Sequence, residues 1–112
     1  MLRVEPRDGG FRAVFSVGAD LMVLPDHFPG NPILPGICMV QAILVAGAMV
    51  KGAADLKLAR LKNAKMMQPV QPGDEVVIEA DVSEADAGPA IKSKLLVGEQ
   101  KRAEFSLVAR AV

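Results

Sequence analysis

From Ile37 to Val50 the chain runs for 14 residues without a charge or a proline, and Gln41 alone interrupts the uncharged apolar series. That run is shorter than the roughly 20 residues needed to span a bilayer. Gly52 stands where a C-cap glycine belongs, so the pattern predicts a helix over 37–51. Apolar residues cover every face of it except the point held by Gln41, and a helix apolar all round is expected to be buried all round. A chain of 112 residues can surround such a helix only by wrapping a sheet about it.

The remaining sequence supplies strands. Asp8-Gly9-Gly10 reads as a turn, followed by Phe11, Ala13, Phe15 and Val17 in alternation with Arg12, Val14, Ser16 and Gly18, the period of a strand. Leu56 to Met67 is ambiguous in period. Gln68-Pro69 and Gln71-Pro72-Gly73-Asp74 then punctuate, and Val76, Ile78, Ala80 and Val82 alternate with Glu75, Val77, Glu79 and Asp81, as in an antiparallel strand with one wet face. Ala87-Gly88-Pro89 and Gly98-Glu99 are expected to turn the chain into two further strands, carrying Ile91, Ser93, Leu95 and Val97, then Ala103, Phe105, Leu107 and Ala109. The expected class is α+β, one domain over 1–112, with a long central helix wrapped by an antiparallel sheet.

Composition removes several function classes. Hydrophobic residues make up 51% and charged ones 23%, which is globular rather than disordered. Thirteen Lys plus Arg balance thirteen Asp plus Glu, so no net field draws the chain to nucleic acid or an anionic membrane, and neither is an expected partner. With one Cys, Cys38, and one His, His27, no internal disulfide and no multi-Cys or multi-His metal site is available, and no metal is expected. The N-terminal MLRVEPRDGG is charged where a signal peptide is apolar, which makes a cytoplasmic location the expectation.

Chemistry concentrates in one place. Leu24 to Gly36 holds Pro25, Pro29, Pro32 and Pro35, so the only imidazole sits on a stiff loop that feeds the helix. The first helical amides, from about Gly36 to Met39, have no intrahelical acceptor and lie at the positive end of the macrodipole, where they can polarise a carbonyl. Burial would keep His27 neutral, the form a general base requires. Gln41, as a buried amide, must find a partner. Each feature has a bland reading: a structural histidine, an ordinary proline-rich loop, an amide that staples packing or holds a water. Their conjunction is what points to a site.

The segment His27-Phe28-Pro29-Gly30-Asn31-Pro32-Ile33-Leu34-Pro35-Gly36 closely resembles the HFPG-x-P-x-x-PG signature of bacterial 3-hydroxyacyl-acyl-carrier-protein dehydratases of the hotdog fold. The stretch from Leu61 to Asp74, with its Pro69-Val70-Gln71-Pro72-Gly73-Asp74, is similar to that family's PV-x-PGD segment. The resemblance covers roughly Phe11 to the C-terminus. It implies a lyase acting on a 3-hydroxyacyl thioester, with no cofactor beyond the phosphopantetheine of acyl-carrier protein or coenzyme A that carries the acyl group. By position, it gives His27 the role of general base toward the α-carbon and Gly36 that of N–H donor to the thioester carbonyl. The family's acid, a Glu or Asp fourteen residues after the His and contributed across a dimer interface, falls on Gln41.

An amide can hydrogen-bond to a departing hydroxyl but cannot donate a proton to it as a carboxylic acid does. A positioned general acid contributes ~10² to 10⁴ in rate. Three functions therefore stand side by side: a dehydratase or hydratase of fatty-acid or polyketide type, a thioesterase in which Gln41 orients a water, and a non-catalytic acyl-thioester holder or heterodimer half whose Glu-bearing paralogue supplies the acid. A homodimer or larger even-numbered oligomer is expected, because a small sheet cannot cover a fully apolar helix alone. Cys38 reads as a buried structural thiol, Met66 and Met67 as tunnel lining or core filling, and Arg60, Lys62 and Lys65 as a solvated strand face or a contact for an acidic carrier.

Overall fold

The computed structural model describes residues 2–16, 36–52, 55–71 and 73–111. Its elements in chain order are β1 (Leu2–Arg7), β2 (Gly10–Ser16), α1 (Gly36–Lys51), β3 (Leu56–Met66), β4 (Glu75–Ala85), β5 (Gly88–Val97) and β6 (Gln100–Ala111). The strands form one sheet in the order β1-β2-β4-β5-β6-β3, and every neighbouring pair is antiparallel.

One face of the sheet carries the core. Phe11, Ala13 and Phe15 on β2, Val76, Ile78 and Ala80 on β4, Ile91 and Leu95 on β5, and Ala103, Phe105, Leu107 and Ala109 on β6 are buried together with Met39, Val40, Ile43, Leu44, Ala46 and Ala48 of α1. The alternation read from the sequence is therefore the alternation of the sheet. The helix ends as expected: Gly52 adopts φ 68° directly after Lys51, the left-handed conformation that favours glycine at this position.

Gly47, mid-helix, marks a close approach of helix to sheet. A Cβ there would stand 3.0 Å from Ile91 Cδ1 and 3.3 Å from Leu56 Cδ1.

Three expectations are corrected. First, α1 is not buried all round. Gln41 is exposed, Val45 is 48% exposed and Met49 56%, and these positions, four apart, form one stripe along the helix. A single sheet covers only the face turned toward it, so the stripe opposite stays open within one chain. Second, β1 extends the sheet where no strand was expected. Pro6 and a run of only six residues hide its period, and both are tolerated because β1 is an edge. Third, the turn before β5 falls on Asp86-Ala87, while Gly88 and Pro89 already belong to the strand. A Cβ on Gly88 would collide with the Ala109 carbonyl oxygen, so this glycine serves close strand packing as well as chain reversal.

The ambiguous period of Leu56 to Met66 has a physical cause. β3 shifts register against β6 between Leu58 and Arg60 and again between Leu61 and Asn63. Each bulge adds one residue. Leu58, Leu61, Ala64 and Met66 thus face the same side as Ala109, Leu107, Phe105 and Ala103 despite spacings of three, three and two.

The opposite face of the sheet is polar and ordered by charge. Cross-strand register aligns Glu5, Arg12, Glu79, Lys94, Glu104 and Lys65 in one row across all six strands, alternating in sign from edge to edge. Arg12 lies 3.7 Å from Glu5 and Lys94 lies 3.4 Å from Glu79. Exposed pairs of this kind contribute about 0.2–1 kcal/mol each, and like charges brought opposite one another would be destabilising. The row therefore favours the observed strand pairing more than it adds to stability.

Gly47 yields a direct test of the helix–sheet contact. Gly47→Val is expected to destabilise the fold by about 1–3 kcal/mol through overpacking, read as a lower midpoint in urea unfolding. An unchanged midpoint would mean that the helix can move away from Ile91 and Leu56 at no cost.

Candidate functional site

Gly36 is the first residue of α1 and is half-buried. The first turn carries no acidic side chain, so nothing on the helix itself neutralises its unpaired amides or its positive end. At the other end, Lys51 is held by Glu84 of β4 at 2.6 Å, the sign that suits a helix C-terminus. The helix runs antiparallel to β3. Its start lies beside Met66, whose Sδ would be 3.8 Å from a Cβ on Gly36, and Gly47 lies beside Leu56.

The turn that follows β3 is fastened by one residue of β6. The Arg102 carbonyl accepts from the amides of Met67 at 2.8 Å and Gln68 at 3.2 Å. Its guanidinium Nη1 donates to the Pro69 carbonyl at 2.5 Å and lies 3.9 Å from Asp74. Asp74 in turn accepts from the Gln71 amide at 2.8 Å, and its own amide donates to the Gln71 carbonyl at 3.1 Å. Val70 is fully buried between these ties. The sequence made the turn legible through its Pro, Gly and Asp, but Arg102 gave no signal, because the contact spans 33 positions.

The site residues named from the sequence are distributed as follows. His27 lies outside the described residues, with the whole proline-rich loop before Gly36. Gln41 is not a buried amide: it points out along the open stripe with Val45 and Met49. Leu58, Leu61 and Met66 of β3 are 37%, 44% and 47% exposed on the helix side of the sheet, so this edge carries apolar surface that one chain leaves uncovered. The two sheet edges differ. β1 is short and interrupted by Pro6, the usual way of blunting an edge, whereas β3 is 11 residues long without a proline.

Cys38 is a free, half-buried thiol rather than a fully buried one. Met66 is exposed, which excludes core filling for it, whereas Met67 is half-buried, and Arg60, Lys62 and Lys65 are exposed on β3. Among the described residues no three His, Cys, Asp or Glu side chains cluster as metal ligands, and no helix is long and apolar enough to cross a membrane.

A hollow of about 710 Å³ lies on the polar face, lined among others by Arg7, Asp81, Lys92, Lys94 and Glu104. Its charges compensate one another. The Glu104 carboxyl is held below its ordinary value chiefly by a hydrogen bond from Lys101, opposed in part by burial, with further pull from the charges of Lys101, Lys65 and Lys92. Gly36 and Gln41 do not line this hollow.

Comparison with known proteins agrees with this geometry. Residues 4–105 match the family model described as ApeI-like, ApeI dehydratase. The chain belongs to this dehydratase family. It is 33% identical over 93 residues to a 3-hydroxyacyl-[acyl-carrier-protein] dehydratase FabZ from Wolbachia sp. subsp. Brugia malayi, covering 74% of this chain and 64% of that protein. A FabZ from Symbiobacterium thermophilum is 32% identical over 102 residues, covering 85% of this chain and 72% of the relative. The chain thus spans somewhat under two thirds of the first of these relatives. Among solved structures, the dehydratase heterocomplex ApeI:P from Xenorhabdus doucetiae aligns with a TM-score of 0.71 at 17% identity, over 98% of this chain and 94% of that one. The fold is the hotdog fold, as the sequence resemblance implied.

Arg102 is the residue whose removal should be felt most at this end of the sheet. Arg102→Met leaves the Pro69 carbonyl without its donor and is expected to cost about 1–3 kcal/mol, measured by urea unfolding at an unchanged slope. A variant as stable as the parent would show that the turn holds without the guanidinium.

Proposed function

We propose that the chain is a 3-hydroxyacyl thioester dehydratase whose site is completed by a second copy of itself. The observation that carries this reading is the placement of Gln41. By the sequence resemblance it falls where the family has its acid, and it stands on an exposed apolar stripe where a neighbouring chain can meet it. The naming of the relatives as acyl-carrier-protein dehydratases supports the substrate class, an acyl group carried as a thioester on acyl-carrier protein or coenzyme A.

In this reading the Gly36 amide, at the positive helix start, donates to the thioester carbonyl and stabilises the charge that develops on its oxygen. His27 removes the α-proton, the electron pair forms the α–β double bond, and the β-hydroxyl departs. Gln41 can orient that hydroxyl but has no proton to give. The proton that converts it to water then comes back from the His27 imidazolium, so one residue serves as base and then as acid. The products are the 2-enoyl thioester and water.

The partner surface is the β3 edge with the 41/45/49 stripe. On the polar face β3 presents Lys57, Arg60, Asn63 and Lys65, by their register with Arg110, Val108, Ser106 and Glu104. A twofold axis through Arg60 would set Lys57 opposite Asn63 and bring Asp55, just before the strand, opposite Lys65. Only Arg60 would then face its own copy, one like-charge contact set against two Asp55–Lys65 pairs, so the balance of charge does not oppose self-pairing. An unlike, Glu-bearing chain at the same edge is the second reading, motivated by the similar solved structure being a heterocomplex.

Two experiments test the proposal. Purified protein given a 3-hydroxyacyl N-acetylcysteamine thioester should form the enoyl product, His27→Ala should abolish it, and Gln41→Glu should raise the rate by about 10-fold or more by restoring an acid. Free thiol without enoyl would identify a thioesterase and overturn the reading. Light scattering should give a dimer for the chain alone and a monomer for Leu61→Glu, since a charge would be buried without a partner. A monomeric parent that becomes active only with a Glu-bearing relative would favour the unlike partner.

A further inference from the structure

We propose that Met66 is the specificity-determining residue of this site, the side chain that packs against the acyl carbons nearest the thioester. This rests on the reading of Gly36 as the carbonyl-binding residue. The Met66 Sδ is the nearest atom to the space a Cβ on Gly36 would fill, at 3.8 Å. Standard backbone dimensions then put the sulfur within roughly 6 Å of the Gly36 nitrogen. A carbonyl oxygen accepting from that nitrogen lies about 2.9 Å from it, so an acyl group that leaves the carbonyl on the β3 side has its α- and β-carbons within van der Waals reach of the methionine side chain.

Three further features single out this residue. Met66 is 47% exposed, so it is not occupied in filling the core and has open space to offer an apolar ligand. It is unbranched and rotatable, able to follow a ligand surface. Its backbone is nevertheless fixed. Met66 pairs with Ala103 in the sheet, and the next three residues are tied to Arg102 through the Met67 and Gln68 amides and the Pro69 carbonyl. A flexible side chain on a clamped strand end beside the helix start is suited to sense the shape of the first acyl carbons rather than the far end of the chain.

Expected consequences concern ratios of substrates. Met66→Ala should raise kcat/KM for a 2-methyl-3-hydroxyacyl N-acetylcysteamine thioester relative to its straight-chain analogue by about 10-fold or more, the range for one methyl-sized change in an apolar pocket. Met66→Phe should move the ratio the other way, and Met66→Leu should leave it near the parent value. Equal changes for both substrates would overturn the proposal and leave Met66 a structural residue.

A second measurement does not depend on turnover. The chain has six methionines, and the ε-methyl signals can be followed by NMR in the inactive His27→Ala protein, with the Met66 signal assigned by its loss in Met66→Leu. Titration with the straight-chain thioester should shift Met66 and leave Met49, near the other end of the helix, unmoved. Saturable shifts that spare Met66 overturn this inference alone. No shift of any methyl at saturating thioester overturns the proposed function together with it.

Discussion

One apolar helix pressed against one antiparallel sheet is the contact on which the rest depends. Met39, Ile43 and Ala46 of α1 are fully buried against strands that contribute Phe11, Ile78, Ile91, Leu95 and Leu107, and Gly47 lets the helix come within touching distance of Ile91 and Leu56. Burying side chains of this size is worth on the order of 1.5–3 kcal/mol each. The chain has few aromatic residues to contribute, four Phe with no Trp or Tyr, so the core relies on close aliphatic packing. That closeness also fixes where the helix lies, and therefore where the Gly36 amide, which has no intrahelical acceptor, stands.

The same geometry creates the unfinished surface. A sheet can cover only the side of a helix turned toward it, so a helix apolar on nearly every face leaves a stripe uncovered. Here the stripe holds Val45 and Met49 with Gln41, and the neighbouring strand leaves Leu58, Leu61 and Met66 open on the same side. Exposed apolar surface organised in this way marks an interaction site. The sheet's other edge carries Pro6 and a short strand and lacks such a surface, so the two edges are not interchangeable.

Much of the fold was legible because its signals are local. The alternation in β2, β4, β5 and β6 and the glycine after α1 each act within a few residues, and all were found. β3 was ambiguous because two bulges break its alternation into steps of two and three. β1 was missed because Pro6 and six residues carry too little pattern. The turn before β5 was displaced because Gly88 is needed for close approach to Ala109 as much as for reversing the chain. Of the site, the sequence named Gly36 and Gln41 correctly as residues of one helix, yet described Gln41 as buried. Exposure of a single helical position depends on what lies across from it, and that is a property of the sheet's extent.

By itself the sequence determined the fold class, the helix and its start, the turn from Gln71 to Asp74 and the likeness to thioester dehydratases, because spacing and turn chemistry are encoded in neighbouring residues. Only the tertiary structure decided that the helix keeps an open stripe and that β3 is an edge strand with apolar side chains left uncovered. It alone brought Arg102 to the turn after β3 and Met66 to Gly36. Those facts join residues about 30 or more positions apart, and such contacts exist only once the strand order and register have brought the segments together.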